Sequence, residues 1–403
     1  MKIDSVNVFV TCPDRNFVTV KIESDAGIYG LGDATLNGRE LAVATYLEEY
    51  CAPSLSGKDP FNIEDIWHYF YKGSYWRRGP VTMAAIGAID VALWDLKAKA
   101  LEVPLYQLLG GKSRDRILTY CHAQGETIDS TLEAIRQKEE QGYQAIRVQA
   151  GIPGMQAIYG ISKNEKNYEP AIIGNAPLEE CWNTEKYLRF VPHLFAAVRE
   201  EFGEGLLFLH DCHHRLTPIE AARLGKELEP FHLFWLEDMV SGELQEAYRL
   251  IRKHTTTPLA IGEVFNTIYD CHIYLTEQLI DHLRMTVSHG GGISHLKKIA
   301  ALAELYRVRI APHGPSDISP IAFAAALHLD MSINNFSIQE YMGHSQLTNE
   351  VFPQSYFLKN GFLYLTETPG LGVDFNENLA SQYPYQKAFL PINRKEDGTM
   401  FNW

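Results

Sequence analysis

Apolar and polar positions change period along the chain. Residues 1–33 hold three runs, VNVFVT, NFVTVKIES and GIYGLGDA. A two-residue alternation puts one set of side chains on a common face, so these runs read as strands. Asp25-Ala26-Gly27 between the last two is a hairpin signal. From about Arg39 to Leu109 the apolar residues recur at helical spacing, as in AAIGAIDVALWDLKAKAL, and the Gly pair of LLGGK stops the block. Residues 1–115 are expected to form an α+β domain of their own.

Eight short apolar runs follow: ILTYCH (117–122), AIRVQ (145–149), LLFLHD (206–211), LFWLE (233–237), LAIGE (259–263), HLRMTV (282–287), VRIAPH (308–313) and FSIQE (336–340). Amphipathic stretches such as IEAARLGKELEP lie between them. Strands alternating with helices predict an α/β fold, a (β/α)8 (TIM-like) barrel over residues 116–345. The last stretch, 346–403, drops the alternation and carries turn signals such as Thr368-Pro369-Gly370, so it is expected to pack back on the first domain. Asp211, Glu237 and Glu263 end successive runs 26 residues apart, whereas Arg147 precedes Asp211 by 64. The second strand is thus followed by an insertion, about 151–182, far longer than an ordinary connection. Rich in Gly, Pro, Asn and Tyr, it is expected to be a lid or disordered.

The strand ends carry the candidate chemistry. In LLFLHDCHH (206–214), alternation puts Leu207, Leu209, Asp211 and His213 on one face. If the leucines fill the barrel, Asp211 and His213 point into its mouth, where barrel active sites lie. His214 then points outward as a packed or solvated residue. Asp211, Glu237 and Glu263 stand side by side in this arrangement. Three carboxylates repel and raise one another's pKa values. A divalent cation removes that penalty, and Mg2+ favours carboxylate oxygens while leaving positions for water or substrate. One such acid alone is more simply a salt-bridged loop residue; three in register favour a metal.

Composition narrows the partners. A net charge of −14 works against nucleic acid, and it means an acidic ligand needs local Arg, Lys or a metal. The six cysteines are scattered with no Cys-x-x-Cys spacing, which argues against a zinc ribbon or a redox motif. No apolar run approaches the ~18 residues of a membrane span, and the first residues lack a secretion-signal pattern. A soluble cytoplasmic protein is the expectation.

With AIDVALWDLKAKALEVPLYQLLGG leading into the barrel, these residues resemble the enolase superfamily: a capping domain, then a barrel whose third, fourth and fifth strands end in Asp, Glu and Glu. Many members carry Lys-x-Lys on the second strand; here Arg147-Val148-Gln149 stands there. Arg147, Tyr159 in GMQAIYG, DCHH, HGPSD (His313 to Asp317) and the terminal FNW are similar to the mannonate dehydratase family, and most to its starvation-sensing branch, over essentially the whole chain. That resemblance implies Mg2+-dependent dehydration of an acid sugar to a 2-keto-3-deoxy acid. It implies proton abstraction by Tyr159 aided by Arg147, with His213 as the acid for the departing hydroxyl. It implies a metal at Asp211, Glu237 and Glu263, and substrate contacts from Asn37, His122, Arg284, His313, Asp317, Glu340 and Trp403. Other roles stay open: packing for Tyr159, a helix cap for Asn37, a structural ion pair for Arg284, metal ligation for His213. The sixth run offers Arg284, Thr286 and Ser288, so no Asp is there to pair with His313. Pro315 stands where proficient mannonate dehydratases carry Ala, and Met239 where relatives carry Pro. Proline restricts the Gly314 before it and so the placing of His313. These departures predict low or absent D-mannonate activity. They leave open another aldonate such as D-gluconate, or a metabolite-binding, regulatory protein without turnover. Relatives form octamers or smaller assemblies, so a homo-oligomer is expected.

Overall fold

Three antiparallel strands, Ile3–Thr11, Phe17–Ser24 and Tyr29–Asp33, open the chain in a computed structural model that describes residues 1–155 and 172–402. The helix Pro80–Ala100 lies directly on the third strand. A Cβ at Gly30 or Gly32 would stand 1.9 Å from the backbone oxygen of Ala92 or Ala88, so only glycine permits this approach. The helix is buried nearly all round, because the sheet covers one side and the barrel another. Buried acids fasten this seam. Asp90 accepts the Ser294 backbone N–H at 3.0 Å. Asp95 accepts those of Leu31 and Leu371 at 3.0 and 2.8 Å. Asp33 accepts that of Ser319 at 2.5 Å.

The eight runs become parallel strands in sequence order: Ile117–Gly125, Ala145–Ala150, Leu207–Asp211, Trp235–Glu237, Leu259–Ile261, His282–Leu283, Arg309–Ile310 and Gln339–Glu340. The eighth pairs with the first, and a bridge from Ile310 to Phe336 joins the seventh and eighth runs, so the barrel closes. Closure leaves no sheet edge to protect. Tyr120, Ala145, Leu209, Trp235, Ala260, Ala311 and Ile338, one from every run but the sixth, form a small apolar cluster separate from the main core. This is the filling of the barrel. Leu207, expected within it, is 38% exposed instead. It is the first residue of its strand and lies below the filled layer.

The C-terminal segment meets three parts of the molecule. The hairpin Phe357–Lys359 and Phe362–Tyr364 adds antiparallel to the start of the first barrel strand. Phe375 packs 5.1 Å from Phe9 of the first sheet, and the Tyr383 carbonyl accepts the Cys12 N–H. Ala388–Phe389 pairs with Ile172–Ile173, and Ile392–Arg394 pairs with Glu179–Cys181. The far part of the long insertion is therefore held by the last strands of the chain. Tyr159 and Trp403 lie outside the described residues. Among the described residues no helix is long and apolar enough to cross a membrane.

Candidate active site

A two-residue step builds the mouth of the barrel. Each residue of the apolar layer but one is followed, two positions on and so on the same face, by an ionisable one. Tyr120 is followed by His122, Ala145 by Arg147, Leu209 by Asp211, Trp235 by Glu237, Ala311 by His313 and Ile338 by Glu340. On the sixth strand the fully buried Arg284 stands two beyond His282. The fifth strand breaks the step. Two beyond Ala260 comes Gly262, with φ of 146°, where a Cβ would stand 2.8 Å from the Arg284 backbone nitrogen. The acid arrives one residue later, as Glu263.

Past Asp211 and Glu237 the chain leaves the extended conformation. His213, His214 and Asp238 have φ of 53°, 59° and 45°, so a left-handed turn, not strand alternation, aims them. His213 reaches the mouth this way: its N–H folds back to Asp211 Oδ1 at 2.6 Å, and its Nε2 comes 3.7 Å from Glu263 Oε1. His214, expected to face outward, turns inward instead. Its Nε2 lies 3.5 Å from Asp238 Oδ2 and 3.9 Å from Glu263 Oε1.

The predicted ligands converge, with two additions. Ligand atoms of Asp211, Glu237 and Asp238 lie within 4.8 Å of one another, and so do those of His214, Asp238 and Glu263. Asp238 joins the two groups. Its carboxylate is fully buried, and neither oxygen has a hydrogen-bond partner among the described residues. Burial, reinforced by Glu237 and Asp211, pushes its pKa well up. Glu237 is raised by burial and Asp211 in spite of Arg284, and Glu263 rises to about 8 through burial with Asp238 and Asp211. Asp211 moves the other way. Burial opposes its charge, but Arg147, 3.0 Å away, and His213 outweigh it and hold the pKa at about 2. An oxygen-rich, water-excluded cluster with unpartnered carboxylate oxygens fits Mg2+, whose charge would relieve the repulsion.

Cations and imidazoles surround the acids. Arg147 also donates to Gln149 Oε1 at 3.1 Å. Arg284 pairs with Glu237, donates to Glu340 Oε2 and Tyr120 Oη at 2.6 Å each, and comes 3.5 Å from Glu263. Glu340 receives His122 Nε2 at 2.7 Å and the Gly314 N–H at 3.1 Å. Burial is opposed there by Arg284 and His313, which keep Glu340 well below the usual range. His313 Nε2 lies 3.3 Å from Glu263, and its Nδ1 meets Thr286 Oγ1 at 2.9 Å. Thr286 thus takes the orienting place where the sixth strand lacks an Asp. Burial lowers His122 and His313 to about 4, and His213 well below its ordinary value. Asn37 of the first domain donates to Asp317 Oδ2 at 3.3 Å. Both line a small pocket with Arg15 and Asn16, at the seam between the domains.

Asp238, His214 and Thr286 were not among the residues the sequence pointed to as the site. For Asp238 a signal existed in the adjacent acids of Glu237-Asp238; for His214 none did, because strand alternation aims it the wrong way.

Comparison with known proteins agrees with this geometry. Residues 5–110 match the family described as mandelate racemase / muconate lactonizing enzyme, N-terminal domain, and residues 130–379 match that described as enolase C-terminal domain-like. A Cellvibrio japonicus protein named D-galactonate dehydratase family member RspA is 60% identical over 403 residues, the whole of both chains. A D-mannonate dehydratase from Sphingomonas sp. is 58% identical, again over all of both chains. Among solved structures, an enolase from Pantoea ananatis with bound D-gluconate and magnesium superposes with a TM-score of 0.93 at 40% identity, covering all of both chains. With both of its domains matched and the acids at the predicted strand ends, the chain belongs to the enolase superfamily.

Proposed function

We propose that the chain is a Mg2+-dependent acid-sugar dehydratase, which removes water from an aldonate to give a 2-keto-3-deoxy acid. The observation that carries this reading is the buried carboxylate cluster at three consecutive strand ends, faced by His213 on one side and His313 on the other. The names of the full-length relatives and the D-gluconate and magnesium in the structural neighbour support it.

Asp211, Glu237 and Glu263 would hold the ion, with Asp238 beside them. When bound, Mg2+ supplies a fixed positive charge that favours loss of the proton next to the substrate carboxylate. The chain's own residues do the rest. Tyr159 takes the α-proton, with Arg147 as the guanidinium whose charge would favour the phenolate over the phenol. His213 gives a proton to the departing 3-hydroxyl. Burial holds that ring neutral in the free protein, and the anionic substrate bound beside it favours uptake of a proton from solvent, which the imidazolium then passes to the hydroxyl leaving as water. His122, Arg284, His313 and Glu340 contact the substrate hydroxyls from the barrel mouth, with Asn37, Asp317 and Trp403 as further contacts.

Within this class D-gluconate is favoured over D-mannonate. The bound ligand of the 40% identical neighbour supports it, as does Pro315, which follows the Gly314 that Glu340 holds. Incubation with a panel of five- and six-carbon aldonates and Mg2+, detecting the 2-keto-3-deoxy acid, tests this. Product that vanishes in Asp211→Asn names the substrate. Mg2+ binding without product from any aldonate would overturn dehydration in favour of a metabolite-binding role.

A further inference from the structure

We infer that Trp235 is a positioning residue, whose indole N–H sets the orientation in which the Glu237 carboxylate meets a divalent cation; this rests on the metal reading above. Trp235 belongs to the apolar layer of the barrel and is fully buried. Its Nε1 donates to Glu237 Oε2 at 2.8 Å. The ring itself is wedged. Tyr120 meets it edge-on at 5.5 Å, and His282 and Phe234 lie 4.9 and 5.2 Å away. The donor therefore stands on the rigid floor of the site rather than on a loop.

The other oxygen of Glu237 is paired with Arg284. The two partners differ in kind. A guanidinium is a positive charge that a bound cation repels, and Arg284 has Glu340 and Tyr120 as further partners. An indole N–H is neutral and can only donate, so the arrival of a cation gives it no reason to leave. Of the two contacts, the indole is the one that persists when an ion enters. A buried indole N–H usually finds some acceptor. Here the acceptor is a carboxylate that the cation also needs, and the hydrogen bonds behind ligating groups govern metal affinity about 10- to 100-fold.

Titration calorimetry of the full chain with Mg2+ tests this, comparing wild type, Trp235→Phe and Trp94→Phe. Trp94 donates its indole N–H to Ser294 at the domain seam, away from the acids of the barrel mouth, so it controls for the loss of a tryptophan hydrogen bond. The dissociation constant for Mg2+ is expected to rise about tenfold or more in Trp235→Phe and to stay unchanged in Trp94→Phe. Equal affinity in wild type and Trp235→Phe would overturn the role of Trp235 alone. Failure of wild type to bind Mg2+ at all would overturn the metal reading, and this inference with it. If Trp235→Phe does not fold, nitrogen–proton spectra of the wild type decide. The indole resonance best protected from exchange is expected to shift when Mg2+ is added, and its indifference would overturn the proposal.

Discussion

Two sets of buried carboxylates divide the molecule. At the domain seam, Asp33, Asp90 and Asp95 are held chiefly by backbone N–H groups, neutral donors fixed by the fold, with the Lys99 ammonium 2.7 Å from Asp95 as a further partner. At the barrel mouth, Asp211, Glu237, Asp238, Glu263 and Glu340 face guanidinium groups, imidazoles and one another. Both sets are withdrawn from water, so burial alone does not mark a functional acid. The balance of partners does: backbone donors prevail at the seam and charged side chains at the mouth, although Asp211 and Glu340 each accept one backbone N–H as well. A backbone donor cannot be displaced without unfolding its strand or helix, whereas a mobile charge can be exchanged for an ion or a substrate. Among the described residues, the seam leaves one oxygen of Asp90 without a hydrogen-bond partner, whereas at the mouth Asp238 keeps both of its carboxylate oxygens so.

The sharpest way to break this contrast is to neutralise one acid on each side. Asp211→Asn keeps the shape and removes the charge. Turnover is expected to fall by about a hundred- to a thousandfold, the usual loss when preorganised charge is removed from a reacting centre, and Mg2+ binding measured by calorimetry should fall with it. Asp95→Ala should do the opposite. It strands the N–H groups of Leu31 and Leu371 and the Lys99 ammonium, so urea denaturation should show a loss of about 3 kcal/mol with Mg2+ affinity unchanged. If Asp95→Ala weakens Mg2+ binding as much as Asp211→Asn does, the two sets are not separate.

How far the sequence reaches also follows this divide. The three acids at the mouth were legible because each ends an apolar run, and the step from Leu209 to Asp211 repeats from Trp235 to Glu237. The rule fails where the backbone turns left-handed, at His213, His214 and Asp238. There the direction of a side chain depends on one φ angle that residue types do not announce. The long insertion was visible from the spacing of strand ends. Its anchoring was not, since it rests on strands of two and three residues pairing with partners some two hundred positions away. The seam acids were invisible for another reason: Asp90 and Asp95 sit inside a helical pattern, where each reads as one more polar position.

A smaller effect is expected inside the mouth. Thr286→Val keeps the shape of the side chain and removes the hydroxyl that meets His313 Nδ1. An imidazole free to tilt is misplaced by a fraction of an ångström, so kcat should fall about tenfold, while Thr286→Ser retains most of the activity. Equal rates in Thr286→Val and wild type would mean that packing, not this hydrogen bond, orients His313.

The mildest test is a pH dependence at the seam. Burial pushes Asp90 up to about 7, although the Ser294 N–H partly offsets it. In the unfolded chain an ordinary Asp loses its proton near ~4. Between about pH 4 and pH 7, therefore, the folded state holds a proton that the unfolded state has released. Stability linked to this group falls as pH rises through that window and levels off above it. Asp90→Asn removes the titration and keeps a side-chain oxygen for the Ser294 N–H. Urea midpoints at about pH 5 and about pH 8 should therefore converge, the variant gaining on wild type as pH rises. The same comparison in the presence of Mg2+ should shift both proteins equally, because the ion acts at the mouth and the proton at the seam. Wild type and Asp90→Asn that run parallel between those two pH values would show that the seam carboxyl is already ionised, and that the two sets of acids are more alike than their partners suggest.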